Sequence, residues 1–278
     1  MYWWSYAKTF NKSVETTIIL ETPRLLLREF TMGDAKHLFE LNGDPEVIRY
    51  VGDGAFASLT EAEKFVANYD QYERYGMGRW AVILKDNSLT TGSKEVTGVF
   101  TGWCGLKFQP ELSETGEVDL GYRFMRKFWG QQIATESAKA CVEYGFKILG
   151  VKRIIGRVMT GNGASAKVLE KCGLHYVKEA EFDEHPGMYY EIENPGWKEN
   201  PYTPIDCNFY DELEALATQK KEVTIIYRND IGVKLKILAT IKTFFAKDKI
   251  EYLETNDGLK IRLDHIVSVD GKELKPSY

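Results

Sequence analysis

Residues 117–149 constrain this chain more than any other stretch. Glu117-Val-Asp-Leu-Gly-Tyr122 reads as a strand that continues to Phe124, and a helical run ends near Leu149. Between them lies Met125-Arg-Lys-Phe-Trp-Gly-Gln-Gln132. A turn built around a single glycine, Gly130, leaves several backbone N–H groups at the positive end of the helix dipole. Such a turn suits a pyrophosphate. Each N–H contact contributes about 0.3–1 kcal/mol, so several must converge before a nucleotide is held. A plain turn glycine would leave the same trace in isolation.

The trace is not isolated. Strand-like Arg153-Ile-Ile-Gly-Arg-Val-Met159 leads into Asn162-Gly-Ala-Ser165 and then Val168-Leu-Glu-Lys-Cys-Gly-Leu174. Asn162 fits a helix N-cap and Gly173 the left-handed position after a helix. The two units in this order resemble the GNAT superfamily of acyl-CoA-dependent N-acetyltransferases. Lys127-Phe-Trp-Gly-Gln-Gln132 falls on that family's [Gln/Arg]-x-x-Gly-x-[Gly/Ala] loop. Trp129-Gly-x-x-x-Ala-Thr-Glu136 and Asn162-x-x-Ser165 followed by Val-Leu-Glu-Lys-x-Gly look like the branch containing the ribosomal-protein N-terminal acetyltransferases. The resemblance covers roughly residues 18–192.

That resemblance implies an α/β (α+β) GNAT fold, a mixed central sheet with flanking helices, and acetyl-CoA as cosubstrate. It places the thioester carbonyl and pantetheine against backbone groups of Phe124 and Met125. The pyrophosphate would lie over Lys127, Trp129, Gly130, Gln131, Gln132, Ile133 and Ala134, with Asn162 beside the pantetheine arm. Many members protonate the leaving thiolate with a tyrosine on the helix after Asn-x-x-Ser. Leu169 stands there, so Ser165, one turn earlier, becomes the expected acid. Glu117 and Asp119 share one face of their strand. They are read either as a base acting through water or as ordinary solvent-facing acids. Two positions depart from the family pattern: Lys127 lacks a planar fork, and Gln132 replaces Gly or Ala.

Composition narrows the alternatives. With 278 residues the chain has room for two domains, and its net charge of −5 gives no reason to expect nonspecific nucleic-acid or membrane binding. No apolar run approaches the roughly 20 residues that span a bilayer. The cysteines at 104, 141, 172 and 207 form no Cys-x-x-Cys pair, and the histidines form no ligand cluster. Neither a metal site nor a disulfide framework is expected, and reduced thiols in a cytoplasmic protein are the simplest account. Residues 1–16 read either as a loose tail or as a docking segment for a neighbouring subunit, which would make a homodimer. The acetyltransferase segment is expected over 17–192. A linker over 193–204 carries three prolines and a glycine.

From 205 to 278 the pattern changes to one helix and about five short strands, with turn signals at Asn229-Asp-Ile-Gly232 and Asn256-Asp-Gly258. This segment resembles Rof, the small Sm-like inhibitor of the transcription terminator Rho. The matching residues are Tyr202-x-Pro-Ile-x-Cys207, Tyr210-Asp-x-Leu-Glu214, Glu251-Tyr-Leu253 and Arg262-Leu-Asp-x-Ile266. The resemblance implies a small Sm-like β-barrel with an N-terminal helix, and Asp211 and Glu214 as residues contacting a Rho-like partner. Asn208 and Phe209 stand where Rof has acids. A packing or dimerisation module fits the same pattern. From Pro201 onward there are 12 basic and 13 acidic side chains, so a protein partner is expected rather than RNA.

Magnitudes bear on the acceptor. An α-amine has a pKa of about 7.7–8.0 and lysine about 10.4, so at neutral pH lysine needs roughly 4–5 kcal/mol of help to lose its proton, and the α-amine under about one pKa unit. A site with no histidine in its motifs suits a protein N-terminus or a small α-amine. The competing reading is a catalytically silent acyl-CoA-binding protein whose C-terminal segment binds Rho or another nucleic-acid-handling protein.

Overall fold

The computed structural model describes residues 10–11, 16–52, 54–86, 98–182, 184–198 and 201–274. It separates into two compact units, Met1–Pro195 and Gly196–Tyr278.

The first unit is built on a nine-stranded sheet. β1 (Phe10–Asn11) pairs antiparallel with β2 (Thr16–Glu21), and β2 with β3 (Leu25–Arg28). The rest of the N-terminal extension lies outside the described residues. Four short helices follow: α1 (Ala35–Asn42), α2 (Pro45–Ile48), α3 (Leu59–Ala67) and α4 (Gln71–Tyr75). Ser58 caps α3 by accepting from the Glu61 N–H at 3.2 Å. β4 (Arg79–Lys85), β5 (Gly98–Gln109) and β6 (Glu117–Phe124) continue the antiparallel ladder. α5 (Ile133–Tyr144), extended by a π turn over Gly145–Leu149, carries the chain across to β7 (Arg153–Met159). β7 is parallel to β6, which requires such a crossover. α6 (Gly163–Lys171) leads to the hairpin of β8 (His175–Phe182) and β9 (His185–Glu193). The strand order is β1-β2-β3-β4-β5-β6-β7-β9-β8.

Period-two alternation sends side chains to two different cores. In β4, Trp80 meets Tyr144 of α5 edge to face at 5.5 Å, and Cys104 of β5 meets Cys141 of α5 at 3.7 Å. Ala81 and Ile83 of the same strand join Leu26, Leu38, Leu41, Val47 and Phe100. The sheet is thus covered by α5 on one face and by α1 and its neighbours on the other.

The second unit begins with α7 (Cys207–Thr218), capped by the Asp206 carboxylate, which accepts from the N–H groups of Asn208 and Phe209. β10 (Glu222–Arg228), β11 (Lys234–Lys247), β12 (Ile250–Thr255), β13 (Lys260–Arg262), β14 (Ile266–Val269) and β15 (Lys272–Glu273) follow. They pair antiparallel in the order β13-β12-β11-β10-β14-β15. Phe209 and Leu213 of α7 enter a core with Val223, Ile225, Ile241, Leu253, Leu263 and Ile266. Phe209 is therefore a packing residue of this core. Two expectations need adjustment. The strands form an open sheet rather than a closed barrel: among the described residues no pairing joins β13 to β14 or β15. β13 is three residues long and runs straight into a 3-10 turn at Leu263–His265, so it offers little edge to close against. The segment expected to be a linker is also partly fastened, because Tyr202 donates to Glu251 and the Thr203 N–H to Asp264. Among the described residues no helix is long and apolar enough to cross a membrane.

Candidate active site

β6 and β7 share one ladder position, Asp119 opposite Ile155. Beyond it the two strands part. The Met125 N–H donates to Thr101 on the β5 side at 2.9 Å. In an antiparallel ladder successive residues face opposite edges, so the main-chain groups of Tyr122 and Phe124 face the parted β7 side. Of the two residues expected to meet the thioester arm, Phe124 therefore turns toward the cleft, while Met125 spends its N–H inside the sheet. The Phe124 carbonyl accepts from the indole N–H of Trp129 at 2.8 Å.

The turn after β6 is held by its own chain. A 3-10 turn spans Arg126–Phe128, and the Gln131 amide donates to the Lys127 carbonyl at 2.9 Å. From the β2–β3 corner, Arg24 donates to the Gln131 carbonyl at 3.1 Å and to the Glu136 carboxylate at 2.7 Å. Thr22 also donates to Glu136. These contacts tie up the one acid in the first turn of α5. Gly130 has φ +75°, and a Cβ placed there would meet no atom within 4 Å. Gln132 is also left-handed, at φ +65°, and no side chain caps α5. Lys127, Trp129, Gly130, Gln131 and Gln132 are exposed, while Ile133 is buried and anchors the helix and Ala134 is half-buried. Open space over a glycine, with uncapped amides behind it, fits a diphosphate.

α6 brings the second motif to the cleft. The Asn162 side chain accepts from the Ser165 N–H at 3.2 Å. Ser165 Oγ lies 3.0 Å from the Tyr122 hydroxyl, which donates to the Ser165 carbonyl at 2.8 Å. Burial pushes the Tyr122 phenol well above its ordinary range, so it stays protonated. Leu169 is buried against Gly156, where a Cβ would lie 2.5 Å from a Leu169 methyl. Leu169 thus packs into the core, and a phenol reaches Ser165 from the strand instead. The sequence reading missed Tyr122, because it sits in register with Val118, Leu120 and Phe124 and looks like a core aromatic.

Glu117 and Asp119 are not the solvent-facing acids that one expectation made them. Both are buried, Glu117 against Arg153 at 2.5 Å and Asp119 against Arg79 and Arg157. The Arg79 guanidinium also donates to the carbonyls of Gly105 (2.6 Å) and Asp119 (2.8 Å). It lies flat over Gly121, where a Cβ would fall 2.5 Å from its central carbon. Each carboxylate is thus engaged by a guanidinium group on this face of the sheet. Trp103 carries Arg79 and Arg123 over its ring, and Arg123 donates to Asn42 at 2.6 Å. None of these four residues had a sequence signal, since they come from α1 and three separate strands.

A cavity of about 270 Å³ opens between α1, α2 and the turn, lined by Glu40, Leu41, Asp44, Val47, Met125, Arg126 and Lys127. A larger hollow of about 600 Å³, lined by Glu29, Asn68, Tyr69, Tyr72 and others, shares no residue with the turn or with Ser165. We assign it no part in the site. Among the described residues no group of three or more His, Cys, Asp or Glu could hold a metal ion.

A family model described as acetyltransferase (GNAT) domain matches residues 24–175. The chain belongs to the GNAT acetyltransferases. YkkB of Bacillus subtilis, described as an uncharacterized protein, is 33% identical over 160 residues, 57% of this chain and 86% of that one. The FsC-acetyl coenzyme A-N(2)-transacetylase of Aspergillus fumigatus is 33% identical over 159 residues, 54% of this chain and 59% of its own. A GNAT-family acetyltransferase from Bacillus anthracis superposes with a TM-score of 0.50 at 25% identity, covering 63% of this chain and 97% of the other. This GNAT protein is an acyltransferase, and the family's acyl donor is acetyl-CoA. The family match ends at His175, so the second unit of this acetyltransferase lies outside it.

Proposed function

We propose that the protein transfers the acetyl group of acetyl-CoA to a primary amine of the α-amine class, either a protein N-terminus or a small molecule. One arrangement supports this reading: β6 pairs with β7 at a single position, the turn beyond β6 has open space at Gly130, and Tyr122 of β6 meets the Ser165 hydroxyl. The donor's pantetheine would extend the β6 edge at Tyr122 and Phe124. Its diphosphate would lie over Trp129–Ala134, with Lys127 and Asn162 flanking it. Amine nitrogen attacks the acetyl carbon, the C–S bond breaks, and the sulfur gains a proton while the amine loses one. Ser165 is the acid, donating its hydroxyl hydrogen toward the departing sulfur. With Glu117 and Asp119 each paired to arginine, an amine already close to neutral at pH 7 is the simpler acceptor. The pKa gap of about 2.5 units between lysine and an α-amine decides for the latter.

We take the second unit as a Rof-like, Sm-like interaction module. Asp211 and Glu214 are exposed on α7 while Phe209 and Leu213 face the core, which leaves the acids available to a Rho-like protein. Three buried, free thiols in the first unit support a reducing, cytoplasmic setting.

Thiol release from acetyl-CoA, followed against peptides with free N-termini, amino acid esters, lysine and polyamines, tests the first reading. Turnover fastest with α-amines is expected. Absence of both turnover and acetyl-CoA binding by calorimetry would end it. For the second unit, capture of a Rho-type protein by the full chain should be lost on Asp211→Ala with Glu214→Ala.

A further inference from the structure

The Tyr122 hydroxyl has two partners on a single residue, the carbonyl and the Oγ of Ser165. A phenol carries one hydrogen. If that hydrogen goes to the carbonyl, the serine hydroxyl must turn its own hydrogen back to the phenol oxygen. If it goes to Oγ, the serine hydrogen is released to point into the cleft. Both arrangements keep Oγ in one place, and they interchange by rotating two hydroxyls. The serine backbone is fixed independently, by the Asn162 side chain on its N–H.

We propose that Tyr122 is a positioning residue for Ser165: it holds the serine hydroxyl at the mouth of the parted strands and, by donating to Oγ, frees the serine hydrogen for the departing sulfur. The inference rests on the reading of Ser165 as the acid. Tyr122 gives up no proton in this scheme. The sulfur takes the hydroxyl hydrogen of Ser165, the amine's proton returns to Oγ through water, and the phenol remains neutral throughout. Burial of the phenol, which disfavours its ionised form, agrees with a positioning role rather than a proton source. The ring shares its face of β6 with Leu120 and Phe124, and Leu169 of α6 is packed against Gly156 of β7.

The test is a four-member cycle in the full chain: wild type, Tyr122→Phe, Ser165→Ala and the double variant. Thiol release from acetyl-CoA is measured with the fastest amine of the panel, or with water alone as acceptor. Removing the phenol hydroxyl should lower kcat about five- to tenfold, the worth of one hydrogen bond between neutral groups, with KM for acetyl-CoA changed less than about twofold. In the Ser165→Ala background the same change should cost nothing further, because the residue it positions is gone. Ser165→Thr, which keeps a hydroxyl, should restore the dependence on Tyr122. A wild-type rate for Tyr122→Phe overturns the inference. So does an equal loss with and without Ser165, which would mark a purely structural tyrosine while leaving the serine's role intact. A wild-type rate for Ser165→Ala, or no thiol release under any condition, removes the acid reading itself and the inference with it.

Discussion

Gln132 occupies a backbone conformation that its side chain disfavours. For a residue with a Cβ the left-handed region costs about 1–2 kcal/mol, and glycine escapes that cost while losing more chain entropy on folding. At φ +65°, Gln132→Gly should raise stability by about 0.5–1 kcal/mol net, read as an upward shift in the thermal midpoint of the first unit. It should also not weaken acetyl-CoA binding, since the side chain contributes no cap to α5. A fall in binding would show that the glutamine side chain makes a contact with the donor, and a fall in the midpoint that it makes a stabilising contact within the protein. Gly130→Glu should do the reverse. A side chain there meets no neighbour, though at φ +75° it bears the same backbone cost of about 1–2 kcal/mol; its charge would stand where the diphosphate is proposed to lie, so calorimetry should find binding reduced at least about tenfold with the fold retained. The departure from Gly or Ala at Gln132 was legible through the resemblance, whereas the positive φ at that residue was not.

At the scale of elements, the parting of β6 from β7 makes the site, and the ion pairs on the opposite side of the sheet keep β4, β6 and β7 together. Asp119 joins Arg79 of β4 to Arg157 of β7 across its own strand. Replacing it with asparagine leaves two guanidinium groups facing each other without a carboxylate. Losing one partner of a buried pair costs about 3 kcal/mol or more, so Asp119→Asn should lower the urea midpoint of the first unit clearly. Glu143→Gln breaks an exposed pair with Lys147 on α5 and should cost under about 0.5 kcal/mol. Equal losses in the two variants would mean that the buried pairs hold nothing together. The elements themselves were legible: apolar alternation and capping residues such as Ser58 and Asn162 act within a few residues of one another. The environment of Asp119 was not, because Arg79 and Arg157 lie 40 and 38 positions away and meet it only once the sheet is paired. Closure of the second sheet failed as a sequence expectation for the same reason. Whether β13 meets β14 depends on strand length and register, and composition specifies neither.

Across the whole molecule, the two units carry separate cores, and residues 196–278 hold one histidine, His265. Burial, assisted by the Arg262 guanidinium, pushes its pKa below the ordinary value, against the opposing pull of Asp264 and Asp230. The unfolded chain therefore binds a proton near pH 6.5 that the folded unit binds only at lower pH. Between those points the unfolded state holds more protons, and stability rises with pH. It should be fully present above about pH 6.5 and decline as the solution is acidified through and below that value. The carboxylates whose pKa values are lowered, Glu254, Asp257 and Asp270, titrate in a separate window below about pH 4.5, where their own contribution is lost. A urea titration of the isolated 196–278 segment at pH 7.5 and 5.5 thus isolates the histidine. The eleven buried side chains of its core should let the segment fold alone as a unit near the lower size limit. The midpoint should be lower at pH 5.5, and His265→Gln should remove most of that difference. A midpoint that rises on acidification would place His265 against an acid that outweighs both its burial and Arg262.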